Sequence, residues 1–280
     1  MCHDGAAETA AGQASGPATP GRRTFGRLLL AGSGLAALAA CTPEPPRPTS
    51  SAAVAGTPTP TAAAPSASAT ASEVPLPGGG QHSLTDPASP WVVVNKHRPL
   101  SPAAYVPADL VGPAVRLAVA GEAALLNSTT AAAAEQLFAA AAADGVVLTL
   151  ASGYRSFATQ TVTYGGYVDS RGQAEADTAS ARPGYSEHQT GWSFDIGDGG
   201  GACSFQPCFA EQPAAAWARS NGHRYGFVVR YPWDFHEITG YYYEPWHLRY
   251  IGVEAATDML NRGIATLEEY FGLEAAPDYL

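Results

Sequence analysis

The sequence predicts a single mixed α+β domain. Three observations point there. Apolar runs of strand length and Ala- and Leu-rich helical stretches both occur after residue 80, but they do not alternate strictly, which argues against a doubly wound parallel sheet. About 200 residues follow that point, ample for one core. No internal repeat divides them.

In chain order, residues 91–95 (Trp, three Val, Asn) read as a first strand, closed by Lys96, His97, Arg98 and Pro99 and a proline-marked loop to Pro107. Residues 114–143 read as two helical stretches broken near 127–130, with Ser128 or a neighbouring threonine as N-cap of the second. An apolar run at 146–150 has strand length and leads into Ser152, Gly153, Tyr154, Arg155 and Ser156. A helix over 157–169, strands at 191–196 and 225–230, and a last helix at 251–262 complete the pattern.

Composition bounds the function. The 280-residue chain is 46% hydrophobic and 14% charged, yet its longest apolar run, residues 28–40, includes two glycines and a serine, so a polytopic membrane protein is excluded. The net charge of −10 argues against nucleic acid as a partner. Residues 1–80 are balanced, with four acids and four bases, so the whole excess of acid sits in the later part.

The first 41 residues read as an export address. Arg22 and Arg23, followed by Phe25 and Arg27, precede the apolar run, and Leu38, Ala39, Ala40 and Cys41 close it. The arginine pair resembles a twin-arginine signal, and the Leu-Ala-Ala-Cys end resembles a bacterial lipobox with Cys41 as the lipidated residue. Ordinary cleaved secretion is the alternative. A two-chain lipid on Cys41 would anchor the protein to the outer face of the cell membrane. Residues 42–80 are almost entirely Pro, Ala, Ser, Thr and Gly, with Glu44, Arg47 and Glu73 as the charges, which predicts a disordered spacer before a domain at 81–280.

Chemistry concentrates in four fragments: residues 152–156, 186–188, 194–196 and 244–247. A catalytic zinc site needs three nitrogen or oxygen ligands and an open position, and His188, Asp195 and His247 supply that set. Gly191 lets the chain bend between His188 and a strand carrying Ser193 and Asp195 on one face. Glu244 stands three residues before His247, and one helical or turn-like step brings such a pair to the same side. A carboxylate there can take a proton from an attacking water and return it to a leaving amine.

These residues resemble the zinc D-alanyl-D-alanine carboxypeptidases of the VanY type, relatives of the VanX dipeptidases. The resemblance spans residues 92–252 and rests on Ser-x-His-x-x-Gly-x-x-x-Asp at 186–195 and Glu-x-Trp-His at 244–247, with Tyr-Arg-Ser at 154–156 upstream. It implies a compact α+β fold with a central antiparallel sheet flanked by helices, and zinc on His188, Asp195 and His247. It also implies Glu244 as general base and Arg155 as the group that binds substrate. Gln160 and Ser186 match polar residues that line the same pocket. A guanidinium suits a terminal carboxylate, since two parallel donors meet two oxygens. Ser193 is a departure, standing where relatives commonly have alanine.

The resemblance implies removal of the terminal D-Ala from peptidoglycan stem peptides. An L,D-carboxypeptidase, a D,D-dipeptidase and a non-catalytic wall-binding module are the alternatives, and the presence of Glu244 weighs against the last. His236, flanked by Asp234 and Glu237, is the rival metal ligand. Cys203 and Cys208 predict a disulfide closing a small loop in an exported domain. Trp192, Trp246 and Tyr241, Tyr242 and Tyr243 either wall the cleft or pack.

Overall fold

Residues 82–280 are described by a computed structural model of the chain. The expected export signal, Cys41 and the spacer at 42–80 lie outside the described residues. In order, the elements are β1 (Leu110–Val111), β2 (Leu126–Asn127), α1 (Ser128–Ala143), β3 (Thr149–Ser152), α2 (Phe157–Arg171), α3 (Gln173–Ala179) and β4 (Ser193–Gly197). There follow α4 (Pro213–Asn221), β5 (Phe227–Tyr231), α5 (His236–Thr239), β6 (Glu244–Tyr250), α6 (Val253–Arg262) and α7 (Leu267–Tyr270). The expected α+β class holds. The central sheet has strand order β3-β4-β6-β5, antiparallel throughout, while β1 and β2 form a separate ribbon.

Alternation along β4 and β6 divides the sheet into two faces. Phe194, Ile196 and Leu248 point one way, into a core they share with Leu137, Phe138 and Ala141 of α1 and Ala214, Ala215 and Ala218 of α4. The small alanines let both helices lie close to the sheet. Ser193, Asp195, His247 and Arg249 point the other way, with Ser193 opposite Arg249 and Asp195 opposite His247.

The structure corrects four local expectations. Residues 91–95 are buried but form no strand, because Arg249 donates to the Pro90 and Val92 carbonyls and Arg98 to that of Val93, taking the bonds a partner strand would have made. The first expected helical stretch holds only a 3-10 turn, Gly121–Ala124. Its earlier backbone is committed to β3 instead: Ala118 donates to Leu150, and Leu150 donates to Arg116. The N-cap of α1 is Asn127, whose side chain accepts from the Thr129 and Thr130 amides, while the Ser128 hydroxyl is held by Asp109. Finally, Glu244 and His247, expected to be joined by one helical or turn-like step, both lie in β6. It is a strand of seven residues.

Candidate active site

His188 lies in a single 3-10 turn, Glu187–Thr190, which Gly191 ends at φ 70°. A Cβ on Gly191 would sit 2.7 Å from the Asn127 nitrogen, so both the left-handed backbone and the space require glycine. Asp195 and His247 face each other across β4 and β6. His188 Nε2 is 3.4 Å from Asp195 Oδ2, and His247 Nδ1 is 3.1 Å from Asp195 Oδ1. One donor atom from each of the three buried residues lies within 4.8 Å of the others.

The outer hydrogen bonds fix what those atoms present. His188 Nδ1 is 2.8 Å from the Gly153 carbonyl, which only accepts, so Nδ1 carries the proton and Nε2 turns a lone pair toward Asp195. His247 Nε2 is 3.4 Å from Glu187 Oε2, and donation there leaves the Nδ1 lone pair facing Asp195. Three acceptors therefore converge with no donor among them, an arrangement that demands a bound proton or a cation. Electrostatics agree. Burial alone would lower the His247 imidazole, but Asp195 and Glu187 outweigh it and push it up to about 9. Burial would raise the Asp195 carboxyl, yet His188 and His247 hold it well below the carboxylate range. Two imidazole nitrogens and a carboxylate, open on the cleft side, fit a catalytic zinc ion.

Glu244 begins β6, with Oε2 3.7 Å from His247 Nδ1, and burial pushes its carboxyl up to about 7. A regular strand would send residues three apart to opposite faces. Val229 pairs with Leu248 while Tyr231 pairs with Glu244, so β6 carries two extra residues opposite β5, and this bulge turns Glu244 back beside His247. The expected proximity is present, made by a bulge and not by a helical step.

These groups floor a cleft of about 500 Å³ whose lining includes Arg155 and Ser186. Arg155 donates to Gln160 Oε1 at 3.0 Å and to Ser152 Oγ at 3.1 Å, which orients the guanidinium and leaves other N–H donors for a ligand. Gln160 departs from the expectation: it is fully buried behind Arg155, its amide donating to Ser180 Oγ and the Ala181 carbonyl, so it holds the arginine instead of lining the cleft. Trp246 and Tyr241, Tyr242 and Tyr243 do line it. Trp192 packs instead, stacked on Tyr250 and bonded to the Pro87 carbonyl. His236 is half exposed and pairs with Glu237, apart from the converging ligands. Ser193 buries its hydroxyl with no partner. Cys203 and Cys208 are joined in a disulfide.

One group in the Ser-Glu-His fragment had no assigned role. Glu187 is fully buried beneath His247 and accepts from Arg230 Nε at 2.8 Å and Arg249 Nη1 at 2.9 Å. Burial alone would raise its carboxyl, but Arg249 and Arg230 outweigh that and hold it well below the usual range. Glu268 closes the network, accepting from Arg230 and from Asn95. The available signal was two arginines set among apolar residues in strands.

Comparison with known proteins agrees with this geometry. The family model described as VanY: D-alanyl-D-alanine carboxypeptidase matches residues 123–253. The chain is 37% identical over 194 residues to the putative carboxypeptidase YodJ of Bacillus subtilis (strain 168), covering 69% of this chain and 70% of that one. Among solved structures, the LdcB LD-carboxypeptidase aligns with a TM-score of 0.63 at 38% identity, covering 66% of this chain and 87% of its own. A vancomycin-resistance D,D-pentapeptidase VanY in complex with Zn(II) aligns with a TM-score of 0.53 at 35% identity, covering 64% and 97%. With the family model matched over residues 123–253 and a 37%-identical relative covered over 70% of its length, the chain belongs to the VanY family of D-alanyl-D-alanine carboxypeptidases.

Proposed function

We propose that the chain is a zinc-dependent D-alanyl-D-alanine carboxypeptidase that removes the C-terminal D-Ala of peptidoglycan stem peptides. The observation that carries this reading is the convergence of three lone pairs, from His188, Asp195 and His247, beside Glu244 on the floor of a cleft that also holds Arg155. When bound, zinc supplies a Lewis acid that polarises the scissile carbonyl and makes water a stronger acid. Glu244 takes the proton from the attacking water and delivers it to the leaving amine. Arg155 pairs with the terminal carboxylate, which makes the enzyme an exopeptidase and sets the peptide's register over the metal. Ser186 offers a hydroxyl at the same wall.

The test is D-Ala release from a pentapeptide, followed by mass spectrometry before and after chelation. Release that chelator stops and zinc restores supports the reading; intact pentapeptide with zinc bound overturns it. A second reading, L,D-cleavage of tetrapeptides, has support from the solved L,D-carboxypeptidases, LdcB aligning with a TM-score of 0.63 and DacB with 0.53, beside 0.53 and 0.54 for two VanY structures. Running tetrapeptide beside pentapeptide decides between them. Export and anchoring through Cys41 belong to the same proposal, supported by the lipobox and the arginine pair. A Cys41→Ala variant should leave the membrane fraction.

A further inference from the structure

The mouth of the cleft is built from two loops that the chemistry at its floor does not use. On one side Phe205, Gln206 and Pro207 line it from within the loop closed by the Cys203–Cys208 disulfide. On the other, Tyr242 and Tyr243 line it immediately before Glu244, and Trp233 meets Tyr243 edge-on at 5.6 Å. Phe205 is 49% exposed, Tyr242 53% and Trp233 70%. Single exposed apolar residues need no explanation, but large rings grouped around one opening mark a binding surface. Phe205 and Asp234 both adopt positive φ, 53° and 72°, an unfavourable conformation for residues other than glycine, at the positions that set these two loops.

The neighbours of these rings choose the ligand. Gln206, next to Phe205 in the chain, and Asp234, His236 and Glu237, which follow Trp233, are all exposed. A lipid surface would be met by rings without interleaved acids. A saccharide presents an apolar C–H face bordered by hydroxyls, and rings with hydrogen-bonding side chains between them match both parts. The rim is also continuous with the cleft that, on the reading above, receives a peptide attached to the wall glycan. We propose that Phe205, Trp233, Tyr242 and Tyr243 form a saccharide subsite that engages the glycan portion of peptidoglycan while its stem peptide enters the cleft. This inference rests on that reading for its substrate. The disulfide keeps the Phe205 side of the subsite in place.

The experiment compares a free pentapeptide with the same pentapeptide on its disaccharide, and adds a binding assay with peptide-free glycan strands. Trp233 does not line the peptide cleft, so Trp233→Ala should hydrolyse free pentapeptide as the parent does and lose about fivefold to tenfold in kcat/KM on the disaccharide form, through KM. Trp233→Tyr should recover most of that loss, and Phe205→Ala, from the opposite loop, should weaken glycan-strand binding. Equal losses on both substrates, no loss on either, or no binding of peptide-free strands overturns the subsite. If the parent enzyme releases no D-Ala from either substrate, the proposed reaction fails, while strand binding and its loss in Trp233→Ala still decide the subsite.

Discussion

On one face of the central sheet Phe194, Ile196 and Leu248 are 0–2% exposed; on the other Asp195, His247 and Arg249 are 0–3% exposed. The two faces are equally dry, and the forces that hold them differ. Apolar burial is non-directional and needs mainly volume and fit. On the polar face each charge loses its hydration, a penalty of several kcal/mol that only a well-placed partner offsets. Asp195 has His188 and His247, while Glu187 has His247, Arg230 and Arg249. Such an arrangement is a costly way to fill a core, and the donor set it presents, two imidazole nitrogens and a carboxylate, fits a bound zinc ion.

The largest expected effect lies at the edge of the polar face. Glu244→Gln keeps shape and removes the proton carrier, so D-Ala release should fall by about 10²–10⁴-fold while zinc content stays at the parent level. Metal analysis and product mass spectrometry on the same sample read both. Retained turnover would remove Glu244 from its role, and lost zinc would make it a ligand instead.

Glu187 tests whether the polar face is a network or a set of independent pairs. Glu187→Ala leaves Arg230 and Arg249 without a shared carboxylate in a dry interior and should cost about 3–5 kcal/mol of stability. Glu187→Gln retains an acceptor for His247 Nε2 and should fold better, with zinc affinity reduced about 10–100-fold. Chelator competition measures it. Unchanged affinity in the glutamine variant would mean that His247 is oriented without Glu187.

Leu248→Met makes the complementary test on the apolar face. It conserves volume and should cost under about 1.5 kcal/mol with activity within twofold, by urea denaturation and D-Ala release. A loss as large as that of Glu187→Ala would erase the distinction between the faces.

What the sequence made legible follows the same division. His188, Asp195, His247 and Glu244 could be named because their spacing is tied to local geometry: a glycine bend, a strand and a short reach along one segment. Even there the spacing of Glu244 and His247 suggests a helical or turn-like step, since a bulge depends on how β5 pairs with β6 and leaves no local mark. Glu187, Arg230 and Glu268 could not be joined into one network for a related reason. Their partners lie 38 to 173 residues away, and a charged residue in a sequence reads as surface until its counter-ion is located. Residues 91–95 show the limit from the other side. The apolar run gave burial correctly, but whether carbonyls bond a strand or an arginine side chain depends on Arg249, more than 150 residues later.

The smallest expected effect comes from an ion pair on neither face. Asp177 accepts from Arg182 Nη2 at 2.8 Å and from the Tyr164 hydroxyl at 2.7 Å, with 17% of the Asp177 and 33% of the Arg182 side chain exposed. Burial would raise the Asp177 carboxyl, but the Arg182 and Tyr164 hydrogen bonds outweigh it and hold it below its ordinary value of 3.8. A depressed carboxylate contributes stability that is complete above its unfolded value and disappears as pH falls through the folded one. Solvent screens this pair, so Asp177→Asn should cost only about 0.5–1 kcal/mol near pH 6. That difference from the parent should shrink as the pH falls below the ordinary aspartate value of 3.8 and the parent aspartate takes up its proton. Urea titrations of both proteins across this range read the difference directly. A difference that grows on acidification would reverse the sign of the linkage, and one as large as that of Glu187→Ala would show that partial exposure does not weaken a pair in this fold.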